Sequence, residues 1–202
     1  MKNTTVETLK KMEARGFTVH TFATKDEMRD FVLDAIGSGS VGFGGSVTSE
    51  QLGLYDTLAA RGNDVFFHWK VSPADRPAVT AKAHAADNYI MSSNAVSDDG
   101  CLLNIDGNGN RLAAMISGPK TVFILLGENK FAGSRDEALA RVKSTACPLN
   151  ARRLNLNTPC AKLDRCTDCS SPQRMCHFTV WTEGVPAGRA FHICVVPEEL
   201  GY

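Results

Sequence analysis

No stretch of this chain approaches the roughly 18 to 20 apolar residues that a bilayer crossing requires. The longest run, Thr121 to Leu126, has the length of a strand. A leader pattern is missing too. Met1-Lys2-Asn3-Thr4-Thr5 passes into Glu7-Thr8-Leu9-Lys10-Lys11 without an apolar segment or a small-residue cleavage site, so a cytoplasmic protein with no membrane span is expected. Net charge is absent: 22 Lys and Arg balance 22 Asp and Glu. That removes the broad electrostatic footprint of a nucleic-acid or anionic-membrane binder and leaves small ligands and protein partners. No Ser/His/Asp or paired-Glu constellation recruits His20, His68 or His192, which are expected as satisfied strand histidines, and Trp69 and Trp181 as core. Internal repeats and low-complexity tracts are lacking as well, and 43% hydrophobic content over 202 residues suffices for one sizeable core.

What is present alternates between helical and strand-like segments, which implies an α/β fold with an open, mostly parallel sheet flanked by helices. Residues 3–15 form a helix stopped by Gly16 before the strand-like Phe17 to Phe22. Thr24 caps a second helix whose apolar face is Met28, Phe31, Val32, Ala35 and Ile36, followed by the short strand Val41-Gly42-Phe43. One helix is expected from about Thr48 to Arg61, a strand over Val65 to Trp69, a helix beginning near Pro73, and a strand over Asn88 to Ser92. Asp98-Asp99-Gly100 signals a hairpin between Ala95-Val96 and Cys101-Leu102-Leu103, an antiparallel excursion from the winding. Leu112 to Ile116 reads as a short helix, Thr121 to Leu126 as a central buried strand and Asp136 to Thr145 as a helix. The expected organisation is a single domain, with an α/β core over 1–147 and a Cys-rich segment over 148–202 ending in a hairpin of Phe178 to Thr182 with Phe191 to Val196.

Three polar segments stand where strands should end. Gly44, Gly45, Ser46 and Thr48 lie where a strand hands over to a helix: glycine allows close backbone approach, and the free N–H groups of a helix start favour an anion. The segment is neither GxGxxG nor Walker A, and a tight turn with Thr48 or Ser49 as N-cap explains it equally. Ser93-Asn94 closes a strand, and Asn104-Ile105-Asp106-Gly107-Asn108-Gly109-Asn110-Arg111 opens a helix. There Asp106 is a candidate base, Asn94, Asn108 and Asn110 candidate orienting groups, and Arg111 a candidate clamp for a carboxylate or phosphate; a solvated turn is the alternative. Lys130 follows the apolar strand and is a candidate electrophile or anion partner, near Gly45 and Asn94 if the segments converge at the carboxyl edge of the sheet.

Of seven cysteines, five crowd into one segment, and Cys160, Cys166, Cys169 and Cys176 read C-x5-C-x2-C-x6-C with Cys147 upstream as a fifth participant. Four thiolates suit zinc or an iron–sulfur cluster, although the spacing matches no ferredoxin pattern, and packed free thiols are the remaining alternative. Convergence of the four sulfurs is expected on the metal reading.

Taken together, Gly44-Gly45-Ser46-Val47-Thr48, Ser93-Asn94-Ala95, Asn104 to Arg111, Gly118-Pro119-Lys120, Asn129-Lys130, Pro148 to Arg153 and the ending Glu199-Leu200-Gly201-Tyr202 resemble a lactate-utilisation (LUD) domain protein over essentially the whole chain. The resemblance implies a fold similar to that of sugar-phosphate isomerases and CoA transferases. It also implies participation, as an accessory protein or subunit, in bacterial oxidation of L-lactate to pyruvate beside iron–sulfur partner proteins. That redox setting favours an iron–sulfur cluster over zinc on the cysteines. The long ferredoxin-like extension of larger members is lacking, so direct electron transfer by this polypeptide is not expected. The resemblance supplies no catalytic residues. Glu50, in the first turn after the glycine loop, joins Asp106 and Lys130 as a candidate catalytic group because CoA-transferase-like folds can place an acid there, while an acid in a first helical turn is also ordinary dipole chemistry. Two other functions stay open: a stand-alone isomerase- or transferase-like enzyme on a small phosphorylated or CoA-linked metabolite, and a metal or redox sensor. A homo-oligomer stays open too.

Overall fold

A computed structural model describes residues 1–202. The first half winds as β-α units: α1 (Asn3–Ala14), β1 (Thr18–Thr21), α2 (Lys25–Ile36), β2 (Val41–Phe43), α3 (Val47–Gln51), α4 (Leu54–Ala60), β3 (Val65–Phe67), α5 (Arg76–His84) and β4 (Asn88–Met91). There follow β5 (Ala95–Val96), β6 (Leu102–Asp106), α6 (Asn110–Ser117) and β7 (Thr121–Gly127), which runs into a 3-10 turn over Glu128–Lys130. The last part holds α7 (Arg135–Arg141), a π-helical turn over Val142–Ala146, α8 (Cys147–Arg153), α9 (Pro159–Leu163), β8 (Phe178–Thr182) and β9 (Ala190–Val196).

Six strands form one sheet in the order β1-β9-β7-β4-β2-β3, every neighbouring pair parallel. Parallel strands carry helices on both faces, so a central strand must be apolar on both sides. Within β7, Val122, Ile124 and Leu126 enter one core with α1, α5 and α6, while Phe123 and Leu125 enter a second core with α2 and α4. Gly42 in β2 is required by close approach: a Cβ there would stand 2.3 Å from the Ala83 carbonyl oxygen of α5. The chain steps outward from β2 to β3, then returns to place β4 on the other side of β2. In an open sheet, ligands collect at such a reversal, beyond the carboxyl ends of the strands.

The expected antiparallel excursion is present: β5 pairs with β6 through the Asp98-Asp99-Gly100 turn. It is larger than a hairpin, because β8 adds antiparallel to β6. That corrects the expected terminal hairpin. β8 lies in the small sheet, while β9 sits between β1 and β7 in the large one, where Ile193, Cys194, Val195 and Val196 are buried. Both strands have hairpin-like sequence, but each finds a better-matched partner elsewhere.

Three helix boundaries also differ. The helix expected over 48–61 is two helices, broken at Gly53 with φ +60°. Ser46, rather than Thr48 or Ser49, is the N-cap of α3, its hydroxyl accepting from the Ser49 N–H at 3.3 Å. The helix expected near Pro73 starts at Arg76, with Pro77 in its first turn. The helix expected over 136–145 instead continues through the π turn into α8. Pro148, in the first turn of α8, has no N–H to donate and crowds the preceding turn, a physical reason for that turn to widen. Thr24 caps α2 as expected, accepting from Glu27.

Candidate functional site

The carboxyl ends of β2, β3, β4 and β7 open onto one cleft of about 940 Å³. Gly45, Ser46, Thr48 and Glu50 enter it from the loop and helix after β2, Asn94 from the turn after β4, and Lys130 from the turn after β7. Asp106, Asn108, Asn110 and Arg111 come from the end of β6 and the start of α6. The expected convergence of the polar segments is therefore real, with two residues standing back. Gly44 lies behind the wall, where a Cβ would meet Arg111 Cγ at 2.9 Å and the Tyr89 hydroxyl at 3.1 Å. Asn129 turns away to bond the backbone of Leu200, accepting from its N–H at 3.1 Å.

Several of these residues are committed to the protein itself. Nη1 of Arg111 donates to the Ser92 carbonyl at 2.9 Å and to Asn104 Oδ1 at 2.6 Å; Nη2 donates to Asn94 Oδ1 and the Ile105 carbonyl, both at 3.1 Å. Its Nε faces Asp106 at 3.8 Å. The expected clamp is thus already filled with internal acceptors, and Arg111 offers the cleft a buried positive charge rather than a free fork. Asn94 Oδ1 also accepts from the Ile105 N–H at 2.8 Å, so it ties β4 to β6. Asp106 accepts from the Leu112 N–H at 3.3 Å, in the first turn of α6. Glu50 is half-exposed and faces Lys70 at 3.8 Å. Over Gly45 lies the indole of Trp69, which a Cβ would meet at 2.8 Å, and α3 has only five residues, too short for much macrodipole. The glycines of this loop therefore admit Trp69 and Arg111 before any ligand.

Lys130 is the most unusual group in the cleft. It is 2% exposed and its Nζ donates to the main-chain oxygen of Tyr202. Burial, with the positive charges of Arg141 and Arg111, pulls its pKa from 10.5 down to about 7.

Sequence reasoning passed over several residues of the wall. His68 and Trp69, read as a strand histidine and a core ring, both line the cleft. Burial, then the neighbouring Arg76, lowers the His68 pKa against the opposing pull of Asp106, so its imidazole is neutral at pH 7. The Arg153 guanidinium stacks over Trp69 at 4.2 Å from the ring centre. Arg174 and Tyr202 complete the wall. The signal for His68 and Trp69 was available, since they follow β3 at the same carboxyl edge as the other segments; Arg174 comes from an irregular stretch with no periodic pattern to place it.

All seven cysteines are free, and no group of three or more His, Cys, Asp or Glu side chains comes together in an arrangement able to hold a metal ion in this structure. Cys160 Sγ lies 3.3 Å from the Thr158 hydroxyl on α9, and Cys166 Sγ accepts from the Asp168 N–H at 3.3 Å. Arg174 donates to the carbonyls of Cys169 and Cys176, so this stretch is organised by a guanidinium bonding main-chain oxygens. Cys147 is the most buried thiol nearby: burial, then Cys176, Cys166 and Cys160, push its pKa up to about 12. Cys160, Cys166 and Cys176 thus stand around the buried Cys147, although no three of these thiols are set in a metal-holding arrangement in this structure.

A family model described as the LUD domain matches residues 6–196. Among solved structures, a DUF162 family protein from Deinococcus radiodurans is similar in fold, with TM-score 0.55 and 14% identity over 95% of this chain and 97% of that one. The tetrameric eIF2B-beta2-delta2 complex from C. thermophilum superposes at TM-score 0.39 and 17% identity, over 94% of this chain and 55% of that one. No curated protein sequence matches significantly. No helix is long and apolar enough to cross a membrane.

Proposed function

Because the chain belongs to the LUD domain family, we propose that it serves bacterial lactate utilisation as an accessory protein or subunit beside iron–sulfur partner proteins, holding a small carboxylate anion in the cleft. The family match over residues 6–196 carries this reading. The cleft supports it: five basic side chains, Arg76, Arg111, Arg153, Arg174 and Lys130, stand in its wall against two acidic side chains, Glu50 and Asp106. A wall with that imbalance and apolar backing focuses a positive potential on any guest. The exposed Arg76 and the stacked Arg153 carry charge toward the opening, while Arg111 and Lys130 supply it from the buried side.

Deletion of the gene should abolish growth on L-lactate and leave growth on glucose unchanged. Complementation with the wild type should restore it, and complementation with Arg76→Glu, which alters an exposed side chain, should restore it poorly. Unimpaired growth of the deletion strain on L-lactate would remove the reading.

The size of the cleft favours a second reading. About 940 Å³ lies at the upper end of the range of roughly 300 to 1,000 Å³ for small-molecule sites and exceeds what a three-carbon acid fills. A stand-alone isomerase- or transferase-like enzyme on a phosphorylated or CoA-linked metabolite would use that volume, with Asp106, His68 or Lys130 moving protons. Calorimetry with sugar phosphates and acyl-CoAs against L-lactate and pyruvate separates the two. Micromolar binding of a phosphorylated ligand with none of the three-carbon acids would favour the enzyme.

A further inference from the structure

We propose that Cys147, Cys160, Cys166 and Cys176 form a four-thiolate site for a soft metal centre beside the cleft, with Cys147 taking the place expected for Cys169. The inference stands apart from the lactate reading. Hydrogen bonds and helix packing bring the four residues to α8. Cys147 opens that helix and lines the cleft. One turn before it, the Lys143 carbonyl accepts from the Cys166 N–H at 3.2 Å. One turn after it, Asn150 Nδ2 donates to Met175 Sδ at 3.0 Å and so holds the residue that precedes Cys176. Cys160 comes from α9, which packs on α8. Cys176, Cys166 and Cys160 are accordingly the groups, with Lys143, whose charge reaches the Cys147 thiol. Cys169 stands apart: Arg174 Nη1 donates to its carbonyl at 2.8 Å, and no hydrogen bond ties it to α8.

This stretch gains little order from packing. None of residues 148–179 enters a hydrophobic cluster, and Leu154, Leu163 and Phe178 are 43, 56 and 49% exposed. Yet its backbone holds special conformations: the only non-glycine residues with positive φ, Asn155, Asp164 and Asp168, all lie here, at +53°, +57° and +48°. No disulfide fixes them, and ligation by thiolates is the remaining cross-link of comparable strength. Two further features suit sulfur that carries negative charge. The Asp168 N–H donates to Cys166 Sγ at 3.3 Å, as the outer bonds of a ligating thiolate do. Arg174 brings a positive charge beside Cys176, donating to its carbonyl at 3.0 Å, and its Nε is a buried donor with no acceptor in the protein. As they stand, no three of the thiols are set on one point. Each turns about a single side-chain torsion with three staggered positions, and Cys160, Cys166 and Cys176 lie outside both sheets, so convergence leaves the sheets untouched. Binding balances without an oxidant or reductant. Each thiol gives its proton to solvent as its sulfur bonds the metal, which arrives as zinc(II) or within an assembled iron–sulfur cluster and keeps its oxidation state.

The test uses the full-length protein purified anaerobically. Elemental analysis and a visible spectrum tell a colourless zinc site from a coloured iron–sulfur cluster, and the protein is then stripped with a chelator and titrated with cobalt(II), whose tetrahedral thiolate complexes absorb visible light. The expected result is metal in the protein as isolated, or about one cobalt(II) per chain with a thiolate-bound spectrum. Cys147→Ser should lower metal retention or cobalt affinity at least about tenfold, and Cys169→Ser should leave both within about twofold. Should Cys147→Ser fail to fold, alkylation of the wild type with iodoacetamide decides, the modified cysteines being located by peptide mass spectrometry. The bound metal should shield Cys147, Cys160, Cys166 and Cys176 while Cys169 stays reactive. A wild-type protein with neither metal as isolated nor a cobalt–thiolate spectrum overturns the proposal. So does metal lost in Cys169→Ser but kept in Cys147→Ser, or alkylation of Cys160, Cys166 and Cys176 that is the same with metal and without it.

Discussion

At the residue scale, Lys130 and Gly42 show how a side chain, or its omission, acquires meaning only from what surrounds it. The unfolded chain keeps a proton on Lys130 up to its ordinary pKa of 10.5, whereas the folded chain keeps it only up to about 7. Unfolding in that interval therefore takes up a proton. The contribution of Lys130 to stability is greatest above the unfolded value and is lost as pH falls toward 7, by at most about 1.4 kcal/mol per pH unit. Lys130→Met should flatten the stability profile between those limits, as measured by urea unfolding at a series of pH values; an unchanged slope would show that the amine is charged when folded. Gly42 makes the complementary point. Its Cβ would overlap the Ala83 backbone, which cannot swing aside as a long side chain can, so Gly42→Ala should destabilise the protein by about 1–3 kcal/mol through overpacking. A shift in the urea midpoint at constant m reads that cost directly.

At the element scale, the loop and helix α3 show local and tertiary demands acting on one stretch. The order Gly-Gly-Ser-Val-Thr-Ser announces a strand-to-helix turn, but not which hydroxyl caps it. Ser46 does, and Ser46→Ala should cost about 0.5–2 kcal/mol in the same unfolding assay, the ordinary cost of a lost N-cap. Thr48→Ala should cost less through capping, because its hydroxyl points to Ser92 at 3.5 Å instead. The two glycines before the cap looked like an anion cradle, since glycine permits close approach by any group. The approaching groups are Trp69 and Arg111, from elements 24 and 66 positions further along than Gly45, and no local pattern announces them. Arg111 was legible as a cation at a helix start but not as a fully bonded one, because its acceptors Ser92, Asn94, Asn104 and Ile105 gather only when β4 and β6 are side by side.

At the scale of the whole molecule, the placement of β9 decides what can be removed. This strand pairs with β1 and β7 and contributes Phe191, Ile193, Cys194, Val195 and Val196 to both cores, although it lies beyond a long irregular stretch. The stretch from Leu154 to His177 contains only the five-residue α9 and is largely exposed or half-buried. Proteases should therefore cut there first, and the nicked product should stay associated, because β9 remains inserted between two strands. Release of a fragment containing β9 under native conditions would contradict the topology. Ile193→Ala, in the centre of that strand, should cost about 2–5 kcal/mol.

The sequence by itself determined the α/β class, the parallel sheet, the antiparallel excursion at Asp98-Asp99-Gly100, the cap at Thr24 and the polar segments at strand ends. Each of these is written in residues close together in the chain: hydrophobic period, turn chemistry and hydroxyls at helix starts. The tertiary structure alone decided that β8 and β9 part company, that Gly45 serves Trp69, that Lys130 is buried against the Tyr202 main chain, and that Cys160, Cys166 and Cys176 gather around the buried Cys147. These outcomes depend on distances between residues far apart in the chain. Burial and pairing are properties of the space those residues enclose, and that space exists only once the sheet has closed over its two cores.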